Sequence, residues 1–338
     1  MTGVRKALLV GAGVIGVLHG RVMAELADRI ALVAVADVEI GRAEGLAAAH
    51  GARAFGSLAG ALAGVDVDVV VVCSPTGQHG EMAIEALEAG KHVIVEKPAE
   101  ITVARIDEII EAQQKAGTLV TVVSQHRFDP STEAVLAAVE RGELGRITSG
   151  IASIDWWRAQ SYYDSGQWRG TWELDGGGAL MNQGVHTVDL LVAALGRPVE
   201  VFAYTGTLAH ERIEVEDVAV GVVRFEGGAL GVLHATTAAY PGLSARVQVH
   251  GDRGSAVIDD DRLVFLRDAA TAPGPAVPAA GSEPGQLSDA HRLQYLNFLG
   301  ALDGTERLRV GLETNRQSVA VITGAYESAR TGRPVVLR

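Results

Sequence analysis

Residues 4–16 read VRKALLVGAGVIG, and the pattern of this segment predicts how the first part of the chain folds. Its first seven residues are apolar enough for a buried strand, and a helical pattern follows the last glycine. Gly11, Gly13 and Gly16 form the pattern G-x-G-x-x-G between the strand and the helix. In that context the pattern predicts a dinucleotide-binding turn.

Each glycine of this turn has a separate physical role. Gly11 permits the tight turn, Gly13 lets a pyrophosphate approach the backbone, and Gly16 allows the helix to pack closely on the strand. Val14 and Ile15 complete the loop, whose backbone N–H groups at the start of the helix face the phosphates. The turn therefore predicts a nicotinamide dinucleotide as cofactor.

Asp37 ends the second predicted strand, about twenty residues after Gly16, where this fold places an acid that binds the ribose hydroxyls. A carboxylate at that point repels a 2′-phosphate, and no Arg follows it directly, so the sequence favours NAD over NADP. The alternative is that Asp37 only caps the following helix, over residues 40–49.

Further strand and helix patterns alternate up to residue 123 and predict a six-stranded parallel sheet. Ligands bind at the carboxyl ends of the strands in such a sheet. Gly11, Asp37, Ser74, Lys97 and Gln125 are expected on that rim. The predicted fold class is therefore an α/β Rossmann domain, assigned to residues 1–124.

Composition excludes several classes of function. The 338 residues carry a net charge of −12 and no concentrated basic segment, so nucleic acid is not an expected partner. Cys73 is the single cysteine, which favours a reducing cytoplasm. No apolar run is long enough to cross a membrane. No His, Cys, Asp and Glu group has the spacing of metal ligands, so no metal is predicted.

Residues 125–338 are expected to form a second, α+β domain. A long alternating strand over residues 146–157 and several later strands with short turns predict a large, open, mostly antiparallel sheet. A Pro-rich stretch, residues 269–287, is expected to be a surface loop.

The motifs SPTGQH at residues 74–79 and AGKHVIVEKP at residues 89–98 resemble those of the Gfo/Idh/MocA oxidoreductases, named for glucose–fructose oxidoreductase and inositol dehydrogenase. QHRFDP at 125–130, GGGALMNQGVH at 176–186 and YESARTGRPV at 326–335 extend the resemblance over most of the chain. The resemblance implies an NAD(P)-dependent enzyme with a sugar or polyol substrate. It also implies homo-oligomer contacts through the second sheet.

The resemblance assigns roles to the residues of the first domain. Lys97 matches the Lys of the family's E-K-P motif, which lies beside the nicotinamide and the reacting hydroxyl. The chain has only four lysines, so an incidental surface lysine at this point is the weaker interpretation. The remaining cofactor contacts implied are Ser74, Pro75, Thr76, His79, Glu96 and Gln125.

His186 matches the family's catalytic His on a helix predicted to begin after Asp175 and to run to Leu195. Inositol dehydrogenase-like members carry Asp one turn earlier, whereas this chain has Asn182. An amide orients groups but takes no proton, so His186 becomes the expected general base. Asp189 either binds a substrate hydroxyl or orients the imidazole, or it is a buried structural partner.

All four tryptophans fall within residues 156–172. Flat rings beside polar groups suit a sugar, but the same rings also suit a packed loop or a subunit contact. The expected substrate contacts are Arg127, Asp155, Trp168, Arg169, Asn182, His186 and Asp189.

The sequence thus predicts an NAD-dependent dehydrogenase that oxidises a secondary hydroxyl of a cyclic polyol, sugar or sugar derivative. Two alternatives remain: a glycosidase that oxidises its sugar transiently with NAD, and a catalytically silent sugar or nucleotide sensor with the same fold.

Overall fold

A computed structural model describes residues 3–166, 168–268 and 287–338 of the chain. It divides into two compact units. The first comprises the described residues of Met1–Gln125 and Gln286–Arg316, and the second those of His126–Gly285 and Gln317–Arg338. The sequence-based boundary at 124/125 assigned all later residues to one domain, whereas residues 287–316 pack with the first unit. The predicted Pro-rich loop lies almost wholly outside the described residues.

The first unit is built on a parallel six-stranded sheet with the order β3-β2-β1-β4-β5-β6. Short, apolar strands with buried side chains on both faces are typical of parallel sheets covered by helices. The strands are β1 Arg5–Val10, β2 Ile30–Ala36, β3 Arg53–Phe55, β4 Val69–Val72, β5 His92–Val95 and β6 Val120–Val122. This order confirms the predicted Rossmann domain.

Helices connect these strands and cover the sheet. They are α1 Val14–Glu25, α2 Ile40–His50, α3 Leu58–Gly64, α4 His79–Glu88, α5 Val103–Ala116 and α9 Leu287–Leu302, with a 3₁₀ turn at Thr76–Gln78 and another at Gln125–Phe128. The late helix α9 joins this unit because its Tyr295, Phe298 and Leu299 belong to the apolar core formed by β1, β2 and β4. Burial of these apolar side chains thus places α9, a late segment of the chain, in the first unit.

The second unit contains an eight-stranded sheet with the order β13-β12-β11-β7-β10-β9-β8-β14. Only β7 and β10 pair in parallel, so the mostly antiparallel prediction is confirmed. The strands are β7 Ile147–Asp155, β8 Pro198–Gly206, β9 Val218–Phe225, β10 Leu230–Thr236, β11 Ala245–Gly251, β12 Gly254–Asp259, β13 Arg262–Asp268 and β14 Val335–Val336.

Helices cover one face of this sheet. They are α6 Pro130–Glu140, a π-helical segment Ala179–Gly184 that continues into α8 Val185–Leu195, and α10 Leu312–Thr331, which begins in the first unit. The short helix α7, Gln160–Asp164, also belongs to this unit. Val188 and Leu191 of α8 share a core with Ala152 and Ile154 of β7. The side chains that alternate with these point to the other face of the sheet.

That other face exposes large apolar side chains, which we call the open face. They are Tyr204 on β8, Val220 and Val222 on β9, and Leu230 and Val232 on β10. A contiguous apolar patch of this kind is unusual on the surface of a monomer. Across the described parts of the chain, no helix is both long and apolar enough to span a membrane.

Candidate functional site

The glycine-rich turn has the geometry that a dinucleotide requires. Gly11 has a φ of +95°, and a Cβ there would lie 2.5 Å from the carbonyl oxygen of Cys73. A Cβ on Gly16 would lie 2.1 Å from the Gly11 carbonyl oxygen, so both positions require glycine. A Cβ on Gly13 would meet none of the described atoms within 4 Å. The space at Gly13 is therefore open to a ligand.

Asp37 is tied to the same turn. Its Oδ2 accepts a hydrogen bond of 2.7 Å from the backbone N–H of Ala12, and its Oδ1 accepts one of 2.8 Å from Glu39. Glu39, not Asp37, occupies the N-cap position of α2. The interpretation that Asp37 only caps α2 is therefore wrong. Its carboxylate instead lies beside the glycine-rich loop, where it accepts hydrogen bonds. An acidic acceptor next to an open glycine turn fits NAD.

The loops after β4 and β6 carry polar atoms without partners. Ser74 Oγ and Gln125 Oε1 are buried, and neither has a hydrogen-bond partner among the described residues. Such atoms are costly unless a ligand or water satisfies them. Both residues follow the carboxyl ends of their strands, where the fold binds its cofactor. Pro75 and Thr76 continue the loop, and Thr76 is buried.

His79 has a different position from the one implied by the resemblance. The imidazole is fully buried, with Nδ1 2.8 Å from the Pro98 carbonyl oxygen and Nε2 2.8 Å from that of Ser74. Burial lowers the pKa of His79 despite these contacts, so the ring is neutral and donates to one carbonyl at a time. It connects two loops through their backbones and leaves no ring nitrogen for the cofactor.

Glu96 is also buried, whereas the neighbouring Lys97 is half-buried. Glu96 Oε1 accepts from His19 Nε2 at 3.0 Å, and Oε2 accepts from the Lys97 backbone N–H at 3.0 Å. Burial opposes ionisation of Glu96, but hydrogen bonds from His19 and His291 outweigh it and hold the pKa of this carboxyl well below its usual range. Glu96 therefore fixes the backbone from which the Lys97 side chain extends.

Tertiary folding brings together two groups of potential metal ligands that linear spacing did not reveal. They are His19, Glu96 and His291 in the first unit, and His126, Asp129 and Asp261 in the second, with ligand atoms within 4.8 Å in each group. The spacing argument against such groups was therefore wrong. Hydrogen bonds within each group already use atoms that would bind an ion.

In the second unit, the glycines before the His186 helix allow two close approaches. A Cβ on Gly178 would lie 1.6 Å from the Glu216 carbonyl oxygen, and one on Gly177 would lie 2.2 Å from the Tyr326 hydroxyl. The Glu216 carboxylate accepts hydrogen bonds from the backbone N–H groups of Gly178 and Leu180, both at 2.8 Å. Burial raises the pKa of this carboxyl to about 7. Sequence reasoning missed Glu216, which lies far from the glycines along the chain.

The segment predicted as one α-helix from Asp175 to Leu195 is not uniform. Residues Ala179–Gly184 are π-helical, and the α-helix begins at Val185. The wider turn changes the angle between Asn182 and His186, so a purely α-helical spacing does not describe them. Segments of this kind are frequent at functional sites. Asn182 Nδ2 donates to Asp175 Oδ1 at 2.6 Å, which fixes the amide.

His186 is half-buried, and its ring meets that of His126 edge to face, with centroids 5.0 Å apart. His126 Nδ1 lies 2.8 Å from Asp129 Oδ2 and 3.1 Å from Asp261 Oδ1. Burial disfavours a charged His126, but the two carboxylates outweigh it and raise the pKa to about 9. His186 therefore lies beside an imidazolium. His126 belongs to the QHRFDP motif but was not singled out from the sequence.

The Arg127 and Asp189 side chains bind each other. Arg127 Nε lies 2.6 Å from Asp189 Oδ2 and an Nη lies 2.8 Å from Oδ1, while Ser318 donates to Oδ1 at 3.1 Å. Asp189 is buried. Of the two interpretations of Asp189, the geometry favours the structural partner, and Arg127 uses its Nε and one Nη on this carboxylate.

Asp155 is not brought together with His186. The alternation along β7 places Ile154 in the core under the helices and Asp155 on the open face. There Asp155 pairs with His234 of the adjacent β10 at 2.5 Å. The expected substrate role of Asp155 is therefore corrected: the sheet separates it from α8.

The aromatic segment divides into two parts. Trp157 packs against Tyr240 and Trp172 against Tyr326, and both tryptophans are exposed. Trp156 and Trp168 are partly buried and lie against arginines: Arg158 is 5.0 Å from the Trp156 ring, and Arg169 is 4.6 Å from the Trp168 ring. The predicted contacts Trp168 and Arg169 thus form one stacked pair.

Comparison with known proteins covers both units. Residues 5–124 match the model of an oxidoreductase family with an NAD-binding Rossmann fold, and residues 132–257 match that of the GFO/IDH/MocA C-terminal domain. The chain is 31% identical to myo-inositol 2-dehydrogenase of Thermotoga maritima over 77% of both chains. It is 28% identical to inositol 2-dehydrogenase of Rhizobium meliloti over 97% of both.

A solved structure is similarly close. The WlbA dehydrogenase of Bordetella pertussis, crystallised with NADH and UDP-GlcNAcA, superimposes with a TM-score of 0.89 and 35% identity, covering 100% of this chain and 99% of that one. With the glycine turn, Asp37 and both sheets in place, these matches identify the chain as an NAD-binding oxidoreductase of the Gfo/Idh/MocA family.

Proposed function

We propose that this enzyme is an NAD-dependent dehydrogenase that oxidises a secondary hydroxyl of a cyclic polyol, sugar or sugar derivative. The observation that carries the proposal is the environment of His186. Its half-buried ring lies against His126, which is held as a cation by Asp129 and Asp261. An imidazole is the side chain that most often serves as a general base in enzymes.

In this proposal His186 accepts the proton of the substrate hydroxyl. Lys97 donates a hydrogen bond to the same oxygen and stabilises its developing negative charge. Asn182, fixed by Asp175, orients the hydroxyl without taking a proton. When bound, NAD supplies the hydride acceptor at its nicotinamide.

The proposed cofactor contacts are the turn Gly11–Gly16, Asp37, Ser74 and Gln125. Support comes from the open space at Gly13 and from the buried atoms Ser74 Oγ and Gln125 Oε1. Val14 follows Gly13 and Val38 follows Asp37, and both are exposed apolar side chains; sequence reasoning did not single out Val38. A reducing cytoplasm remains the proposed setting for the enzyme.

The substrate class is supported by the relatives. The names of the similar proteins specify inositol as substrate, and the similar solved structure holds a nucleotide sugar acid. A parallel assay of inositols, aldoses, uronic acids and nucleotide sugars, each with NAD and with NADP, tests the proposal by absorbance of the reduced cofactor. We expect net NADH formation with at least one substrate, and weaker activity with NADP.

Two variants test the roles. Lys97→Met and His186→Ala should each lower kcat by roughly 10²–10⁴-fold, the usual contribution of such groups. Lys115→Met is the matched control, because Lys115 is exposed on α5. Wild-type turnover in either site variant contradicts the mechanism. Product without net NADH would instead support the transient-oxidation glycosidase, and binding without turnover the sensor.

A further inference from the structure

Five side chains of the second unit form an alternating stack, which we call the arginine–aromatic cluster: Trp156, Arg158, Tyr162, Trp168 and Arg169. Arg158 lies 5.0 Å from the Trp156 ring and 5.3 Å from the Tyr162 ring. Arg169 lies 4.5 Å from the Tyr162 ring and 4.6 Å from the Trp168 ring. Both guanidinium groups therefore contact the same tyrosine.

The local structure explains why these residues meet. Trp156 and Arg158 follow the end of β7 two residues apart, and Trp156 packs on the core beneath α8. Tyr162 comes from the short helix α7. Its hydroxyl accepts a hydrogen bond of 3.2 Å from Gln183 Nε2, in the π-helical segment that leads into the His186 helix. The cluster is thus attached to the segment that carries Asn182.

Among the described residues, no carboxylate balances the charges of the cluster. Within the described ranges, no Asp or Glu oxygen lies within ion-pair distance of Arg158 or Arg169. Arg212, from the same neighbourhood, pairs with Asp164 at 2.9 Å. Arg158 Nε is also buried without a hydrogen-bond partner among the described residues. Partly buried cations without a carboxylate are costly, and an anion that binds beside them removes that cost.

Stacking leaves the guanidinium groups suited to an anion. A guanidinium whose face lies on an aromatic ring keeps its N–H donors in the plane, and these match the oxygens of a carboxylate or phosphate. A neutral polyol offers no charge to balance two cations. The chain as a whole carries a net charge of −12 and therefore does not attract anions in general. The two arginines are a local exception to that charge.

We propose that Arg158 and Arg169 bind an anionic group of the substrate, a carboxylate or a phosphate, and so select a charged sugar derivative over a neutral polyol. This inference rests on the proposed dehydrogenase function and narrows its substrate class. The aromatic rings hold the guanidinium groups in place, and Gln183 ties Tyr162 to the helix that presents the catalytic His.

Intrinsic fluorescence provides a direct test, because all four tryptophans of the chain lie within residues 156–172. The full-length protein is titrated without NAD using D-glucuronate, uridine diphosphate, inorganic phosphate and, as the neutral comparison, D-glucose. We expect saturable emission changes with an anionic probe at up to millimolar concentration, weakened by added salt. The glucuronate and diphosphate arms distinguish carboxylate from phosphate recognition.

Variants separate the two arginines from general surface charge. Arg158→Gln and Arg169→Gln should each weaken anion binding roughly tenfold or more, whereas the exposed control Arg212→Gln should leave it unchanged. Circular dichroism and thermal unfolding check that each variant is folded. Equal binding of glucose and glucuronate, no response to any anion, or unchanged affinity in both variants overturns the inference.

Failure of this inference is distinguishable from failure of the proposed function. Lys97→Met should lower turnover as described above but retain the fluorescence response to the anion, because Lys97 is not one of the five residues of the arginine–aromatic cluster. A dehydrogenase that prefers neutral polyols and is unaffected by Arg158→Gln and Arg169→Gln would keep the proposed function and overturn only the anion site.

Discussion

The imidazole rings of His126 and His186 meet edge to face at 5.0 Å, with an interplanar angle of 86°. His126 is held on its other side by Asp129 and by Asp261, which comes from the turn between β12 and β13. Two left-handed residues, Asp260 and Asp261, form that turn. The charge beside the proposed general base is therefore supplied by segments far apart in sequence.

Stability should depend on pH through His126. The two carboxylates raise its pKa in the folded protein to about 9, above the value of about 6.5 expected when unfolded. The folded state therefore binds more protons between these values. The stabilisation, up to about 3 kcal/mol, is fully present below pH 6.5 and is lost as pH rises through 9.

Urea unfolding of wild type and His126→Gln at pH 6, 8 and 10 measures this effect. The difference in unfolding free energy between the two proteins should shrink as pH rises. Asp261→Asn should reduce the pH dependence in part, because it removes one of the two carboxylates. A difference that stays constant over this pH range would show that His126 is not held as a cation.

Breaking the Arg127–Asp189 pair should destabilise the second unit. Asp189→Asn removes the charge but retains the shape, and it leaves a largely buried guanidinium without its counterion. The expected loss is about 3 kcal/mol in the free energy of unfolding. Glu226→Gln is the matched control, since its pair with Arg197 is exposed and should change stability by less than about 0.5 kcal/mol. Equal effects of the two substitutions would contradict the structural role of Asp189.

Gly13→Ala should weaken NAD binding without unfolding the protein. A Cβ there meets no described atom but occupies the open space above the turn. We expect NAD affinity, measured by calorimetry, to fall roughly tenfold or more, with little change in Tm. Gly41→Ala on α2 also adds a Cβ in open space and should leave affinity unchanged. Gly16→Ala should instead unfold the turn, because of the clash with Gly11. Unaltered affinity in Gly13→Ala would place the cofactor elsewhere.

A homo-oligomer through the open face should depend on its apolar side chains. Val222 lies on β9, between β10 and β8, and is 54% exposed on the open face. Val222→Asp places a charge among Val220, Leu230 and Val232, which should shift an oligomer towards monomer in light scattering coupled to size exclusion. Leu208→Asp, at an exposed position outside the strands, is the control. A wild-type monomer, or an unshifted Val222→Asp oligomer, rules out this interface.

The sequence was most informative where the chemistry is local. Gly11, Gly13 and Gly16 belong to one turn, and the steric limits of that turn act between residues that are close in sequence. Their spacing alone was therefore enough to predict the turn. Asp37 follows from the same unit of strand, turn and strand. The alternation along β7 could also be predicted, but not which of its faces the helices cover, and Asp155 was expected to contact substrate. Periodicity gives the faces of a strand, whereas packing decides which face is covered.

The residues that the sequence did not identify act through distant partners. Glu216 approaches the Gly176–Gly178 turn, and His126 is bound by Asp261. Asp189 was named from the sequence, but the choice between its interpretations depended on its contacts with Arg127 and Ser318. The π-helical turn at Ala179–Gly184 was missed because a 3.6-residue period cannot show one wider turn.

The sequence by itself thus determined the two-sheet architecture, the dinucleotide turn and the candidate pair Lys97 and His186, since these depend on short-range pattern and family motifs. Which charges are already matched inside the protein could be seen in the folded structure alone. Arg127 is matched by Asp189, whereas Arg158 and Arg169 have rings beside them and no carboxylate among the described residues. Charge balance depends on distances in space, and those distances are set by packing.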